Sequence, residues 1–193
     1  FKMGERAPEI TQDSAFYCFD VLQAHLNDKP LPNAPLTIPN DDLCLFVTWK
    51  KNGRLAGCKG ITGYPRPFRN LLQRFAIDSA ENDSRFKPLK AKDIPNLDCS
   101  VSALHSFEPA DHPLDWVVGV HGIRIDFKVD GHHYAATYLP HVASEQGWTT
   151  NETLHSLVLK SGYRGRVDKA LKDKMETERY QATVVHCTYD EWK

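Results

Sequence analysis

Two dipeptides constrain this chain more than any other feature. Asn52-Gly53 and Asp130-Gly131 each divide two runs of alternating apolar residues. A two-residue type I′ turn needs φ > 0 at both central positions, and Asn-Gly and Asp-Gly meet that need most readily. Each dipeptide therefore predicts a hairpin of neighbouring antiparallel strands. The first joins residues 43–50, where Leu43, Leu45, Val47 and Trp49 share a face, to residues 54–61. The second joins residues 123–129 to 134–139 and sets Phe127 against Tyr134 and Ile125 against Ala136.

Helical periodicity supplies the other layer. Ala15, Phe16, Phe19, Leu22 and Leu26 recur at helical spacing, which predicts a helix over residues 11–26 capped by Thr11 or Asp13. Pro30, Pro32, Pro35 and Pro39 mark a long loop after it. Residues 67–79 predict a second helix, with Pro67 at its first position and Phe68, Leu71, Leu72 and Phe75 on its apolar face. Thr149-Thr150-Asn151-Glu152 is a capping box that starts a third helix, ended by Gly162. Strands are expected over 98–107 and 116–120, one or two more over 179–189, and irregular chain over 83–95. Hairpins with helices between them give an α+β fold: a mainly antiparallel sheet with flanking helices. At 193 residues the chain is most simply a single domain, here residues 11–193 after an N-terminal extension of residues 1–10.

Charge and cysteine usage narrow the setting. The net charge is −1, so attraction of the whole molecule to nucleic acid or membrane is not expected. No window approaches the ~18 apolar residues of a membrane span, and residues 1–6 lack the apolar run of a signal peptide. The five cysteines are scattered and odd in number, which suits reduced thiols in the cytoplasm or nucleus better than a disulfide framework. The nine histidines show no metal-ligand spacing, and no cofactor motif is present, so neither metal nor cofactor is expected.

The segment Leu55-Ala56-Gly57-Cys58-Lys59-Gly60-Ile61-Thr62-Gly63 carries the most chemistry. Cys58 suggests a nucleophile in a basic setting of Arg54 and Lys59, with His121 of the Gly119-Val120-His121-Gly122 turn as base and Arg85 as charge stabiliser. Hairpin register argues the other way. If Lys51 pairs with Arg54 across a two-residue turn, Cys58 lies opposite Val47 and points into the core as a packing residue. A one-residue bulge would reverse that. Charge gives a third reading. Residues 50–74 hold seven basic side chains and no acid, and Gly57, Gly60 and Gly63 lead into the helix that starts near Arg66. Backbone amides, a helix N-terminus and cations such as Lys59 and Arg66 are how proteins hold phosphate or carboxylate. Asp83, Arg85, Glu108, Asp115, Glu145 and Gln146 add groups able to line a polar cleft, although an Asp83–Arg85 ion pair ordering its own segment is the preferred reading of those two. Residues 160–174, with six basic and two acidic residues, are a weaker nucleic-acid footprint.

Many of these residues stand in one recognisable order. Phe19-Asp20-Val21-Leu22, Leu45 through Lys50, Leu55 through Gly60, Asp83-Ser84-Arg85-Phe86, Cys99-Ser100-Val101-Ser102, Asp115-Trp116 with Gly119 through Ile123, Ala136 through Pro140, and Glu145-Gln146 with Trp148 together resemble the eukaryotic branch of the AMMECR-domain family. That family takes its name from the Alport syndrome, midface hypoplasia, intellectual disability and elliptocytosis region. The resemblance implies two lobes with a cleft. It does not imply a reaction. Related prokaryotic domains stand beside Memo-type and radical-SAM proteins, which turns the enzyme alternative toward nucleic-acid or protein modification. Three positions depart from the pattern: Ala56 stands where the signature has Arg, Lys59 where it has Ile, and His141 where Glu follows Leu-Pro.

Function is therefore expected to be binding or adaptor activity toward a protein or an anionic ligand. The anion would sit at Gly57, Lys59, Gly60, Gly63 and Arg66, with Glu145 and Gln146 in the same site. A thiol enzyme built on Cys58, His121 and Arg85 is the alternative.

Overall fold

The structure is a computed structural model and describes residues 7–193. The first six residues of the expected N-terminal extension lie outside the described residues. The α+β class and the antiparallel sheet with flanking helices are as expected. The chain divides into two compact units, Pro8–Leu104 with Thr183–Lys193, and His105–Ala182.

The first unit contains helix α1 (Asp13–Leu26), strands β1 (Asp42–Lys51), β2 (Arg54–Gly60) and β3 (Arg66–Pro67), and helix α2 (Phe68–Glu81). A 3-10 helix (Ala91–Asn96) follows, leading into strand β4 (Leu97–Pro109), whose first eight residues belong to this unit. Strand β1 is central, antiparallel to β2 on one side and β4 on the other, with β3 added near its start. The alternation seen in sequence buries Leu45, Val47 and Trp49 against the helices, with Val101 and Ala103 of β4 beside them. Helix α1 buries Ala15, Cys18, Phe19 and Leu22 on the same core. Phe19 meets Trp49 edge-on at 5.0 Å, and Trp49 Nε1 donates to the Ala76 carbonyl of α2 at 2.9 Å. An indole that is fully buried needs such a partner, so Trp49 fixes α2 to the sheet.

The second unit contains the end of β4, strands β5 (Gly122–Val129) and β6 (His132–Tyr138), helices α3 (Pro140–Gln146), α4 (Thr150–Lys160) and α5 (Lys169–Lys172), and the first half of strand β7 (Glu176–Thr188). Strand β5 pairs with β6 and β7. Its core is Ile123, Ile125 and Phe127 under Leu154, Leu157 and Val158 of α4. The rest of β7 and helix α6 (Tyr189–Trp192) return to the first unit, where Trp192 stacks on Phe19 at 5.2 Å.

Both turns behave as the dipeptides require. Asn52 and Gly53 take φ of 51° and 73°, Asp130 and Gly131 take 49° and 79°, and Phe127 faces Tyr134 while Ile125 faces Ala136. The Thr149 capping box forms in full, with Glu152 accepting from the Thr149 N–H.

Helix α1 has Gln12 as its N-cap and no side-chain capping bond, so neither Thr11 nor Asp13 caps it. Other expectations change as well. Helix α2 starts at Phe68, with Pro67 as its cap, because Arg66 and Pro67 pair with β1 and the Phe68 N–H bonds to the Asp41 carbonyl. Residues 116–120 form a turn rather than a strand: Val120 and His121 N–H both return to the Val117 carbonyl around Gly119 at φ 81°. Val117 and Val120 stay exposed. Helix α3 holds Glu145 and Gln146 in its last turn, closed by left-handed Gly147. The largest change is in the first hairpin. Lys51 pairs with Arg54 as expected, but Lys50 pairs with Leu55 and Trp49 with Gly57, which leaves Ala56 as an extra residue. Cys58 therefore lies opposite Thr48, not Val47. A bulge exchanges the faces of everything beyond it. Cys58 turns away from the core and Gly57 turns toward it.

Gly57 then meets helix α2 directly. A Cβ there would fall on the backbone carbonyl of Ser79, a neighbour that cannot move aside without shifting the helix. Gly57→Ala is expected to lower stability by at least the upper end of the ~1–3 kcal/mol typical of overpacking, read as a fall in the urea midpoint. A substitution that leaves the midpoint unchanged would contradict the close packing of α2 on β2.

Candidate anion-binding site

The bulge gives Cys58 its surroundings. Its side chain is half-buried, and Thr48 Oγ1 donates to Cys58 Sγ at 3.3 Å. Its N–H donates to Asp83 Oδ2 at 3.0 Å. Asp83 is buried and clasped by Arg85 through Nε at 2.9 Å and Nη2 at 2.6 Å, with the Arg85 N–H at 3.2 Å. Burial pushes the Asp83 pKa up, but the hydrogen bonds from Arg85 and from the Cys58 and Arg85 N–H groups outweigh it and bring the carboxyl down to about 2. Asp83 and Arg85 thus form the ordering ion pair expected of them, and they tie the chain after α2 to strand β2. A carboxylate held so low is a poor acceptor for a thiol proton.

His121 lies in the second unit. Its Nδ1 accepts the Val117 N–H at 3.0 Å, which closes the turn. Burial, then the Arg179 guanidinium, holds it below the usual imidazole value, against the opposing charges of Glu108 and Asp115. Arg179 bonds Glu108 at 3.0 Å and Asp115 Oδ2 at 3.0 Å. Glu145 and Gln146 are exposed on α3, also in the second unit.

The expected glycine cradle has structural duties. Gly57 lies beneath Ser79. Gly60 pairs with Phe46, and a Cβ on it would strike the Leu45 carbonyl. Gly63 takes φ of 85° in the loop that leads to Arg66. Several cations of the run are committed nearby. Arg69 bonds the Ile38 and Leu36 carbonyls at 2.8 and 3.2 Å, Arg74 pairs with Asp78 at 3.2 Å, and Arg66 reaches the Pro65 carbonyl at 3.0 Å.

Positive charge collects instead at the turn end of the first hairpin. A pocket of about 410 Å³ opens there between β2 and the segment after α2. Lys51 and Arg54 approach it from the hairpin, and Lys87, Lys90 and Lys92 from the other wall. Its one acid is Asp93, which is buried, pairs with Lys51 Nζ at 2.7 Å and accepts the Lys90 N–H at 2.9 Å. The Lys51 hydrogen bond, stronger than the opposing effect of burial, holds Asp93 below its ordinary value. The walls are tied at their base by that pair and by the Asn52 N–H on the Asn96 carbonyl at 2.9 Å. Leu55, Phe86, Pro88 and Leu89 give the pocket an apolar lining, and the bulged Ala56 belongs to it. The sequence points to Lys51 and Arg54, but within the irregular chain of residues 83–95 it singles out Asp83 and Arg85 and not the lysines. The signal was there: Lys87, Lys90 and Lys92 with a single acid, Asp93, beside them.

Among the described residues no cluster of three or more His, Cys, Asp or Glu could hold a metal, and no helix is long and apolar enough to cross a membrane.

Comparison with known proteins adds kinship. The AMMECR1 family model matches residues 15–185. An uncharacterised protein of Arabidopsis thaliana is 41% identical over 188 residues, covering 94% of this chain and 86% of its own length. An uncharacterised protein of Schizosaccharomyces pombe is 37% identical over 186 residues, covering 94% of each. The crystal structure of an uncharacterised Pyrococcus horikoshii protein superposes with a TM-score of 0.79 at 23% identity, covering 91% of this chain and 90% of that one, which supports the fold.

Two measurements check this geometry. Cys18, Cys44, Cys99 and Cys187 are fully buried; burial pushes the Cys99 thiol up and brings Cys187 to about 12. In the native protein a thiol reagent is expected to label Cys58 first, and Cys58→Ser to remove that rapid phase. Rapid labelling that survives the substitution would put the accessible thiol elsewhere. Asp83 tests the tie. Its pKa is depressed on folding, so its contribution is present above the unfolded value near 4 and is lost as pH falls through about 2. Asp83→Asn is expected to cost about 2 kcal/mol at pH 6. The gap to the parent should close between pH 4 and pH 2; a gap independent of pH would refute the ion pair.

Proposed function

The chain belongs to the AMMECR1 family, and we propose that this member is an intracellular binding or adaptor protein that captures an anionic partner at the basic pocket of its first unit. The observation that carries this reading is the imbalance of charge: five cations face one carboxylate, and that carboxylate is already engaged by Lys51. In a chain of net charge −1 such a concentration has no counterpart in bulk composition. Cations gathered around a concave surface raise the local concentration of anions and steer their approach. Lys59 and Arg66 add positive charge to the same unit. A setting in the cytoplasm or nucleus suits five cysteines with no disulfide among them.

A binding role fits the chemistry better than a thiol reaction. The carboxylate that holds the Cys58 backbone is locked by Arg85, and Arg85 is spent on Asp83 rather than held for a developing charge. Retention on heparin tests the proposal. The protein should be retained at low salt despite its net charge, and elution should move steeply with salt because each phosphate- or sulfate-like contact releases counterions. Lys87→Glu with Lys90→Glu, both on exposed side chains, should abolish retention without changing the thermal midpoint. Unchanged retention of the double variant, or flow-through of the parent protein at low salt together with no binding of inorganic tripolyphosphate, would sink the reading.

A further inference from the structure

The lining of the basic pocket restricts what kind of anion it accepts. Its cations share the lining with apolar side chains. Leu55 is 41% exposed on an edge strand and shares the lining with half-buried Phe86, exposed Pro88 and buried Leu89. An apolar side chain left open among a set of lysines is poorly used by a ligand that is charge alone. The concave space, about 410 Å³, is large enough for a small organic molecule.

The choice of cation points the same way. Four of the five are lysines, and their ammonium groups are mobile point charges, without the fixed fork that arginine offers a single carboxylate or phosphate. Such groups suit several negative charges on a short flexible chain. Polar groups able to read a base edge are scarce. Asp93 is the carboxylate of the lining, and it is engaged by Lys51 and by the Lys90 N–H. The apolar lining can hold a ring by contact but has little to identify it with.

Resting on the binding role proposed above, we infer that the occupant is a small organic polyphosphate carrying an apolar or aromatic body: a nucleoside di- or triphosphate, held by its phosphates at Arg54, Lys87 and Lys90 and by its ring over Leu55 and Phe86, with little discrimination between bases. Lys51 is shared with Asp93 and anchors the wall.

Calorimetric titration of the full chain in magnesium-free buffer at low salt tests this, with ATP, GTP, tripolyphosphate and adenosine as probes and heparin retention in parallel. ATP and GTP should bind within a few-fold of each other. Tripolyphosphate should bind about tenfold more weakly, the effect of withholding roughly 55 Å² of apolar contact. Adenosine alone should show no binding. Leu55→Ser, at an exposed position, should bring ATP down to the tripolyphosphate level and leave tripolyphosphate unchanged. Lys87→Glu with Lys90→Glu should abolish binding of both. Tripolyphosphate binding as tightly as ATP, or ATP binding insensitive to Leu55→Ser, would overturn the organic polyphosphate while leaving the anion-binding role standing. Heparin retention without ATP binding would do the same and assign the pocket to a polymeric anion. Failure of ATP, tripolyphosphate and heparin together would overturn both proposals.

Discussion

One extra residue in the first hairpin governs the unit that holds the pocket. With Ala56 bulged between the Trp49–Gly57 and Lys50–Leu55 pairs, the residues beyond the bulge exchange faces relative to a regular two-residue hairpin. Gly57 comes under helix α2, which lets the Ser79 carbonyl lie where a side chain would otherwise be. Trp49 beside it bonds the Ala76 carbonyl of the same helix. The helix is thus fixed to the sheet at neighbouring positions of two strands, one by a missing side chain and one by an indole. The chain leaving α2 then has a set direction, and Asp83 reaches back to the Cys58 N–H to hold it.

That return fixes the second wall of the pocket. Phe86 N–H bonds the Asp83 carbonyl and Leu89 N–H the Ala80 carbonyl, so the segment carrying Lys87 and Lys90 is anchored at both its start and its middle. Asp93 completes the work. Its cost of burial is offset by Lys51 and by the Lys90 N–H, and it neutralises one cation while leaving the others facing the opening. Charge repulsion among lysines disfavours their gathering. Here the backbone ties of the 3-10 helix and the hairpin turn supply the rigidity that the side chains do not.

Much of the fold was legible because its signals are local. Asn52-Gly53 and Asp130-Gly131 require left-handed backbone wherever they are placed, and the Thr149–Glu152 box closes on itself within one helical turn. What was not legible depends on distant partners. Ala56 carries no mark of a bulge; the bulge is settled by how Gly57 and Trp49 meet α2. Residues 116–120 have strand composition, yet their hydrogen bonds close on Val117 because Gly119 permits the turn. The same holds for the site. The seven cations of residues 50–74 look like one patch in sequence, but the strand, loop and helix that carry them send Arg69 to the Ile38 carbonyl, Arg74 to Asp78 and Lys51 to Asp93. Proximity in sequence measured the amount of charge and not its direction.

The bulge also decides how much room the pocket has. Ala56 lines it with a single methyl carbon at the point where an extra residue projects from the strand. This is one of the positions where the chain departs from the arginine of the signature it resembles. A long cationic side chain rooted there would add a further charge to the lining and fill part of the pocket. With alanine that part of the lining is left to Leu55, Phe86, Pro88 and Leu89. An apolar group set against this lining loses little, whereas a charged group pressed onto it would give up hydration that apolar side chains cannot replace.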